Sequence, residues 1–288
     1  MPDAAARQKD QIRKIRNIRG RALVMYGRAE ALLTKLADLL DTPKCHRMPG
    51  LIIAGDTNNG KTTIVEAFSK KHKPEIHLNG ELSYVPVLLA QAPPTSDVSL
   101  FYNALLDKLQ APFRPSSRSD QRLLEVLRNF DVVGLRMLII DEIQHILVGG
   151  AAKQRQFLQT IKYLANELRI PIVVVGTRDA FNAVHADPQL ANRFEPFWLP
   201  RWRLDEDYLR LLASFELLLP LECEGQLTNH TMAAKILSLT DGLIGEIADL
   251  VTKAARRAVA CGSNMIDSGI IDSCGYLPPS ARRQLPGS

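Results

Sequence analysis

The sequence predicts an α/β protein, a parallel sheet flanked by helices, followed by a small α-helical domain. Three features point to it. Short apolar runs alternate with helical segments as far as about residue 204, the pattern of a sheet covered on both faces. From about Asp205 the strand signal stops and only helical periodicity continues. The glycine-bounded segment Gly55-Asp56-Thr57-Asn58-Asn59-Gly60-Lys61-Thr62 sits between an apolar run and a helical one, which is where an α/β fold places a phosphate loop.

Each element has a local reason. Residues 10–41 carry Ile12, Ile15 and Ile18, then Leu32, Leu33, Leu36, Leu39 and Leu40 at helical spacing. Gly20 and Gly27 interrupt that stretch, and Thr42-Pro43 ends it. Leu51 to Ala54, bounded by Gly50 and Gly55, reads as a buried parallel strand, and Thr62 to Lys71 as the helix after it. A second strand is expected from Tyr84 to Gln91, then Pro93-Pro94, a helix from Val98 to Leu109, a loop from Ala111 to Asp120 and a helix over 121–130. Met137 to Ile140 is the strongest strand signal. Helix 154–168, strand Ile172 to Val175, a helix near 179–185 and a last strand near Phe197 to Leu199 follow. Segments 205–219, 229–240, 243–261 and 267–273 read as helices. The expected organisation is a basic N-terminal helical extension (1–44), the phosphate-loop core (45–204), a helical lid (205–275) and a flexible tail (276–288).

Composition excludes some classes. No uninterrupted apolar run approaches the ~18 residues needed to span a bilayer. Met1 to Asp10 lacks the apolar centre of a signal peptide, so a cytoplasmic location without a membrane is expected. Cys45, Cys223, Cys261 and Cys274 show neither paired nor zinc-ligand spacing and read as reduced thiols. The net charge of +5 is unevenly spread: eight Lys or Arg residues fall between Arg7 and Arg28, against Asp10 alone. Such a run either attracts a polyanion or forms a solvated helix face.

The phosphate-loop pattern implies ATP. Gly55 and Gly60 let the loop turn its N–H groups toward phosphates, with Asn58 and Asn59 at its tip. Lys61 supplies a positive charge, Thr62 a hydroxyl for Mg²⁺, and Thr62 and Thr63 lie in the first helical turn, whose dipole favours an anion. Asp141 at the tip of the strongest strand can join Thr62 in the Mg²⁺ shell. Glu142 beside it can polarise water as a general base, which implies hydrolysis and not mere binding. Thr177 ends the strand Val173-Val174-Val175-Gly176, either as a turn residue or as the sensor 1 of AAA+ ATPases, touching the water or the γ-phosphate. Arg193, just before the last core strand, is either a finger reaching a neighbouring subunit's ATP or a partner of Glu195 or Asp187. A finger requires a homo-oligomer.

Together these residues resemble the TniB family, AAA+ regulators of bacterial transposition related to TnsC. The likeness extends beyond nucleotide motifs, from Arg47-Met48-Pro49 through Leu135–Glu142, Asn166–Pro171 and Gly176–Ala180 to Asn192–Pro196 and Leu212–Glu216. It runs from about Arg21 to Ala260. The resemblance implies an AAA+ P-loop core with a helical lid that assembles with ATP on double-stranded target DNA, as a ring or a helical filament. It implies a transposase and a target-selection protein as partners, and disassembly on Mg²⁺-dependent hydrolysis, which a departure from the pattern in the lid is expected to make slow. It also places DNA contacts in two channel-facing regions: Thr95, Arg114, Arg118 and Arg122 after the second strand, Lys153 and Arg155 after Asp141-Glu142. Each of these is otherwise an ordinary surface residue. Sparse aromatics, 6% of the chain, disfavour readers of single strands. One departure stands out: Asp241-Gly242-Leu243-Ile244-Gly245-Glu246 carries no arginine where many AAA+ lids have sensor 2, and Arg256 and Arg257 lie too far along the helix.

Rival readings remain. A helicase loader or replication-initiator-like ATPase shares the same motifs, although an initiator usually adds a DNA-binding domain after the lid. A STAND-type switch would continue into repeats and does not need Glu142. A P-loop kinase leaves the lid and Arg193 without a role.

Overall fold

The structure is a computed structural model that describes residues 8–16, 25–76, 82–114, 117–221 and 225–282. The chain divides into two compact units: Ala31–Thr57 with Lys61–Leu199, and Met1–Glu30 with Asn58–Gly60 and Pro200–Ser288.

The first unit is built on a five-stranded sheet in the order β4-β5-β6-β1-β7, from β1 (Gly50–Gly55), β4 (Val87–Gln91), β5 (Met137–Asp141), β6 (Ile172–Gly176) and β7 (Phe194–Leu199). Every pairing is parallel. β1, β5 and β6 are buried along their whole length, which is why they read as unbroken apolar runs. Alternate residues face opposite ways. Ile52, Leu138, Ile140, Ile172 and Val174 join one cluster with Phe101, Phe130 and Phe157, while Leu51, Ile53, Ile139 and Val173 are buried outside it. The Phe101 and Phe157 rings lie 4.9 Å apart, and burial of each is worth roughly 1.5–3 kcal/mol.

The helices of this unit are α3 (Lys61–Lys71), α4 (Val98–Lys108), α5 (Ser119–Val132), α6 (Ala151–Leu168), α7 (Arg178–His185) and the short α8 (Pro188–Ala191). Two differences from the sequence expectation stand out, the first in the second strand. It is split: β3 (Leu82–Tyr84) pairs with β2 (Glu75–Ile76) in a separate antiparallel sheet, and β4 begins after Pro86. Proline has no N–H to continue a ladder, and the Pro86 carbonyl instead accepts from the Arg136 and Met137 amides. A 3-10 turn, Ile143–Leu147, also intervenes between β5 and α6, with Ile143 and Ile146 buried.

The second unit is helical: α9 (Glu206–Leu218), α10 (His230–Thr240), α11 (Ile244–Ala260), α12 (Ser268–Ser273) and α13 (Pro279–Arg282). Asp205, Asn229 and Asp267 cap α9, α10 and α12 with side-chain hydrogen bonds, which places those helix starts where the sequence reading had them. α11 buries Ile247, Leu250, Val251, Ala254, Ala255 and Ala258 at helical spacing, and the Tyr208 hydroxyl donates to the Ala233 carbonyl at 3.1 Å. The helix over 8–16, α1, belongs here. Ile15 is fully buried in this unit's core, the Gln8 amide donates to the Val259 carbonyl and the Gln11 amide to the Pro220 carbonyl. The N-terminal helix is therefore packed on the lid helices; the rest of the helix expected there, 17–24, lies outside the described residues, and α2 (Gly27–Leu40) follows. Within the segment expected as a flexible tail, Tyr276 and Arg282 both bond to Glu246. No described helix is long and apolar enough to cross a membrane. Cys45, Cys261 and Cys274 are free thiols, and Cys223 lies outside the described residues.

Candidate nucleotide-binding site

Strand order assembles the site. β1 lies between β6 and β7, and the chain leaves it toward β4 before returning through β5 and β6, so the winding direction reverses at β1. Open parallel sheets bind ligands at the carboxyl ends of strands beside such a reversal. The phosphate loop leaves β1, Asp141-Glu142 ends β5 and Thr177 follows β6, so all of them fall on the carboxyl ends of three neighbouring strands.

The loop geometry needs its glycines. A Cβ on Gly55 would lie 2.7 Å from the Leu199 carbonyl oxygen, and Gly60 has φ +80°. Lys61 opens α3 and turns back, its Nζ donating to the Gly55 carbonyl at 2.9 Å and to the Asp56 carbonyl at 2.7 Å. Burial lowers its pKa, against the nearby carboxylates of Glu142, Asp141 and Asp56, which favour the charged form. Asn58 and Asn59 group with the helical unit. Asn58 Nδ2 donates to Glu246 at 2.9 Å, and Asn59 Nδ2 to the Pro200 carbonyl at 2.9 Å. Both side chains are engaged by protein. Thr63 is exposed in the first turn of α3.

Asp141 is buried and uses both oxygens. Thr62 Oγ1 donates to Oδ2 at 2.7 Å, and the Glu142 amide donates to Oδ1 at 2.8 Å. A hydroxyl and a carboxylate in direct contact form a hard-oxygen pair that fits Mg²⁺, which takes one or two protein ligands and completes its shell with water and phosphate. Among the described residues no group of three or more His, Cys, Asp or Glu could hold a metal ion. Glu142 has φ 56°, a left-handed conformation uncommon outside glycine, and such outliers cluster at functional sites. The Gln144 amide donates to its Oε2, and His145 Nε2 lies 3.8 Å from the same oxygen. Gln144 was not foreseen. Thr177 stands at the N-cap of α7 without a side-chain capping bond, so its hydroxyl is not committed to the helix.

Arg193 lies elsewhere, at the amino end of β7. It is 9% exposed, and its guanidinium donates to Asn166 Oδ1 at 2.6 Å and to the Lys162 carbonyl at 3.3 Å. The two acids considered as its partners have other contacts: Glu195 pairs with Lys35, and Asp187 caps α8 through the Gln189 amide. Burial, and then the nearby Arg47, hold the Arg193 guanidinium below its ordinary pKa.

The residues expected at DNA do not form one group. Thr95 is exposed just before α4, next to Ser96, whose hydroxyl and amide donate to the Val148 carbonyl at 3.4 Å. That links Thr95 to the loop leading to exposed Lys153 and Arg155 on the first turns of α6. Arg114 and Arg118 are exposed beyond the far end of α4, whose 11 residues span about 16 Å. Arg122 is a correction. It is 7% exposed within α5, so its side chain is not presented to a duplex.

A five-stranded parallel sheet of this order, carrying a phosphate loop after β1 and Asp-Glu after β5, is the fold of the AAA+ P-loop ATPases. Within that class the chain belongs to the TniB family: residues 14–204 match the family model described as Bacterial TniB protein. The likeness read at Leu212–Glu216 and on to Ala260 lies outside the matched residues. Among solved structures, the Aeropyrum pernix ORC1 protein in complex with DNA matches with TM-score 0.62 and 15% identity, over 89% of this chain and 67% of that one. Cdc6p from Pyrobaculum aerophilum gives 0.62 and 16%, over 87% and 67%. The A. pernix ORC2 protein in ADPNP-ADP complexes gives 0.58 and 17%, over 86% and 67%. At these identities the likeness is one of fold. No curated protein matches significantly.

Proposed function

We propose that this protein is an ATP-dependent regulator of DNA transposition that assembles on double-stranded target DNA, engages a transposase and disassembles on hydrolysis. The observation that carries the reading is the joining of Lys61, Thr62, Asp141 and Glu142 at the ends of neighbouring strands, in a chain of the TniB family. Lys61 exchanges two backbone carbonyls for phosphate oxygens. Thr62 and Asp141 would hold Mg²⁺, which when bound neutralises charge on the phosphates. Glu142 takes a proton from water as its oxygen attacks the γ-phosphorus and ADP departs, and Thr177 orients that water. The bond from Gln144 restrains Glu142 and favours slow turnover. Arg193 acts on the nucleotide of a neighbouring copy.

The test is negative-stain electron microscopy with linear duplex DNA, comparing a non-hydrolysable ATP analogue with ADP. Rings or filaments on DNA only in the ATP-like state support the reading. Particles that stay monomeric and off DNA in both states reject it. The likeness of fold to ORC and Cdc6 proteins keeps a loader or initiator-like ATPase as the second reading. Affinity for a helicase and none for a transposase would favour that one.

A further inference from the structure

The register of two neighbouring strands brings together residues far apart in sequence. Gly50 of β1 stands opposite Phe194 of β7, and the Gly50 amide donates to the Arg193 carbonyl at 3.0 Å. The residues just ahead of the two strands therefore converge. Arg47 and Arg193 both line a cavity of about 360 Å³, with His46, Lys162, Asn166 and Gln189. No carboxylate is among those lining residues. Arg193 is buried on neutral acceptors, Asn166 Oδ1 and the Lys162 carbonyl, while Arg47 is exposed. A recess formed by three formal cations and a histidine without a lining acid is electrostatically unfinished, and an anion completes it.

The lining selects among anions. No Phe, Tyr or Trp lines the cavity, so it offers no stacking surface of the usual kind for a free nucleotide's base. A duplex spreads its phosphates along the axis, about one per 3.4 Å of each strand, and calls for a row of cations. These cations instead converge on one concavity. A terminal phosphate presented by another protein suits that shape, and Arg with Lys is the donor set for it. The chain's own phosphate loop follows the opposite, carboxyl end of β1 and cannot present that phosphate here.

We propose that this recess receives the γ-phosphate of ATP held by a second copy of the chain, with Arg47 as a second trans-acting cation beside Arg193. The inference rests on the proposed ATP-dependent assembly and deepens it. Arg193, fixed by Asn166, forms the preset wall. Arg47, exposed and unburdened by packing, is the group that reaches. Arg47-Met48-Pro49 thereby gains a function: buried Met48 anchors the segment and the β1 register aims it.

The experiment compares the full chain with Arg47→Ala, Arg47→Lys, Arg193→Ala and Lys61→Ala, in the presence and absence of duplex DNA. Arg47→Ala should bind a fluorescent ATP analogue within about twofold of wild type when dilute and monomeric. Its hydrolysis under assembling conditions should fall at least about tenfold, as expected when a phosphate-stabilising cation is lost. Arg47→Lys should recover part of that loss. An equimolar mixture of Arg47→Ala with Lys61→Ala should hydrolyse faster than either alone, because one supplies an intact nucleotide site and the other an intact Arg47. Wild-type assembly and turnover in Arg47→Ala, with both lost in Arg193→Ala, would overturn this inference and leave the proposed function standing. Loss of DNA affinity in Arg47→Ala with DNA-free turnover intact would also overturn it, assigning the recess to DNA. If wild type itself neither assembles nor responds to ATP, the proposed function fails and the inference with it.

Discussion

The Thr62 hydroxyl donates a 2.7 Å hydrogen bond to the Asp141 carboxylate, tying the first turn of α3 to the tip of β5. The contact predicts that the two residues act as one metal-binding unit. Thr62→Val and Asp141→Asn should each keep nucleotide affinity within a few-fold. Each should lower kcat by about 100-fold or more and abolish its Mg²⁺ dependence, the scale of losing metal-assisted charge stabilisation. A Mg²⁺ titration of hydrolysis checks this. An unchanged titration curve in both variants would remove the pair from the site.

Glu142 is held in a left-handed backbone conformation and restrained by the Gln144 amide. Glu142→Gln should lower turnover by about 10²–10⁴ while leaving ATP binding intact, so that assemblies on DNA outlast those of wild type. Gln144→Ala should move the other way by a few-fold, because the carboxylate is released from the amide that restrains it and is free to turn toward the attacking water. Steady-state hydrolysis of the two variants decides. Equal turnover in Gln144→Ala and wild type would show that the amide does not restrain the base.

Ile15 is fully buried among the helices of the second unit, so α1 is structural before it is anything else. Ile15→Ala should destabilise the protein by about 2–4 kcal/mol through the cavity it leaves. Exposed Arg13 and Lys14, paired with Asp10, should change stability by less than about 0.5 kcal/mol when replaced by Ala. Urea midpoints compare the two. A stability loss at Ile15 as small as at Arg13 would mean that α1 does not pack as described.

The strands and the phosphate loop were legible because their causes are local. β1, β5 and β6 are buried on both faces, so apolar runs mark them, and Asp205, Asn229 and Asp267 announce their helices by capping. The split at Pro86 has a legible cause: a missing N–H in the middle of an apparent strand argues for two. The turn Ile143–Leu147 was hidden because its apolar positions continue the strand's hydrophobicity. Contacts between distant residues left no pattern to read. Asn58 and Glu246 are 188 positions apart, and nothing near either one signals the other. Arg122 looked like a surface cation because charge alone says nothing about which helix face is buried.

Glu246 opens a different kind of test. It is 7% exposed in the first turn of α11, where Arg282 grips it with two nitrogens at 3.1 and 2.6 Å, Tyr276 donates at 2.7 Å and Asn58 at 2.9 Å. Burial works to raise its pKa, but the bonds from Arg282 and Tyr276 outweigh it and hold the carboxyl below the usual value. A depressed folded pKa contributes stability above the unfolded value of about 4.3, and that stability is lost as pH falls through the folded value. The side chain of Arg282 is 40% exposed, so solvent screening limits the effect of Glu246→Gln to about 1–2 kcal/mol at neutral pH. The gap between wild type and Glu246→Gln should persist at pH values above the unfolded pKa and close only as pH falls below it through the lowered folded value, where wild type too becomes protonated. Arg282→Ala should show the same closing gap. Urea midpoints measured across this range provide the check. A gap that stays constant into acid would mean that packing, and not the charge on Glu246, is what the C-terminal residues stabilise.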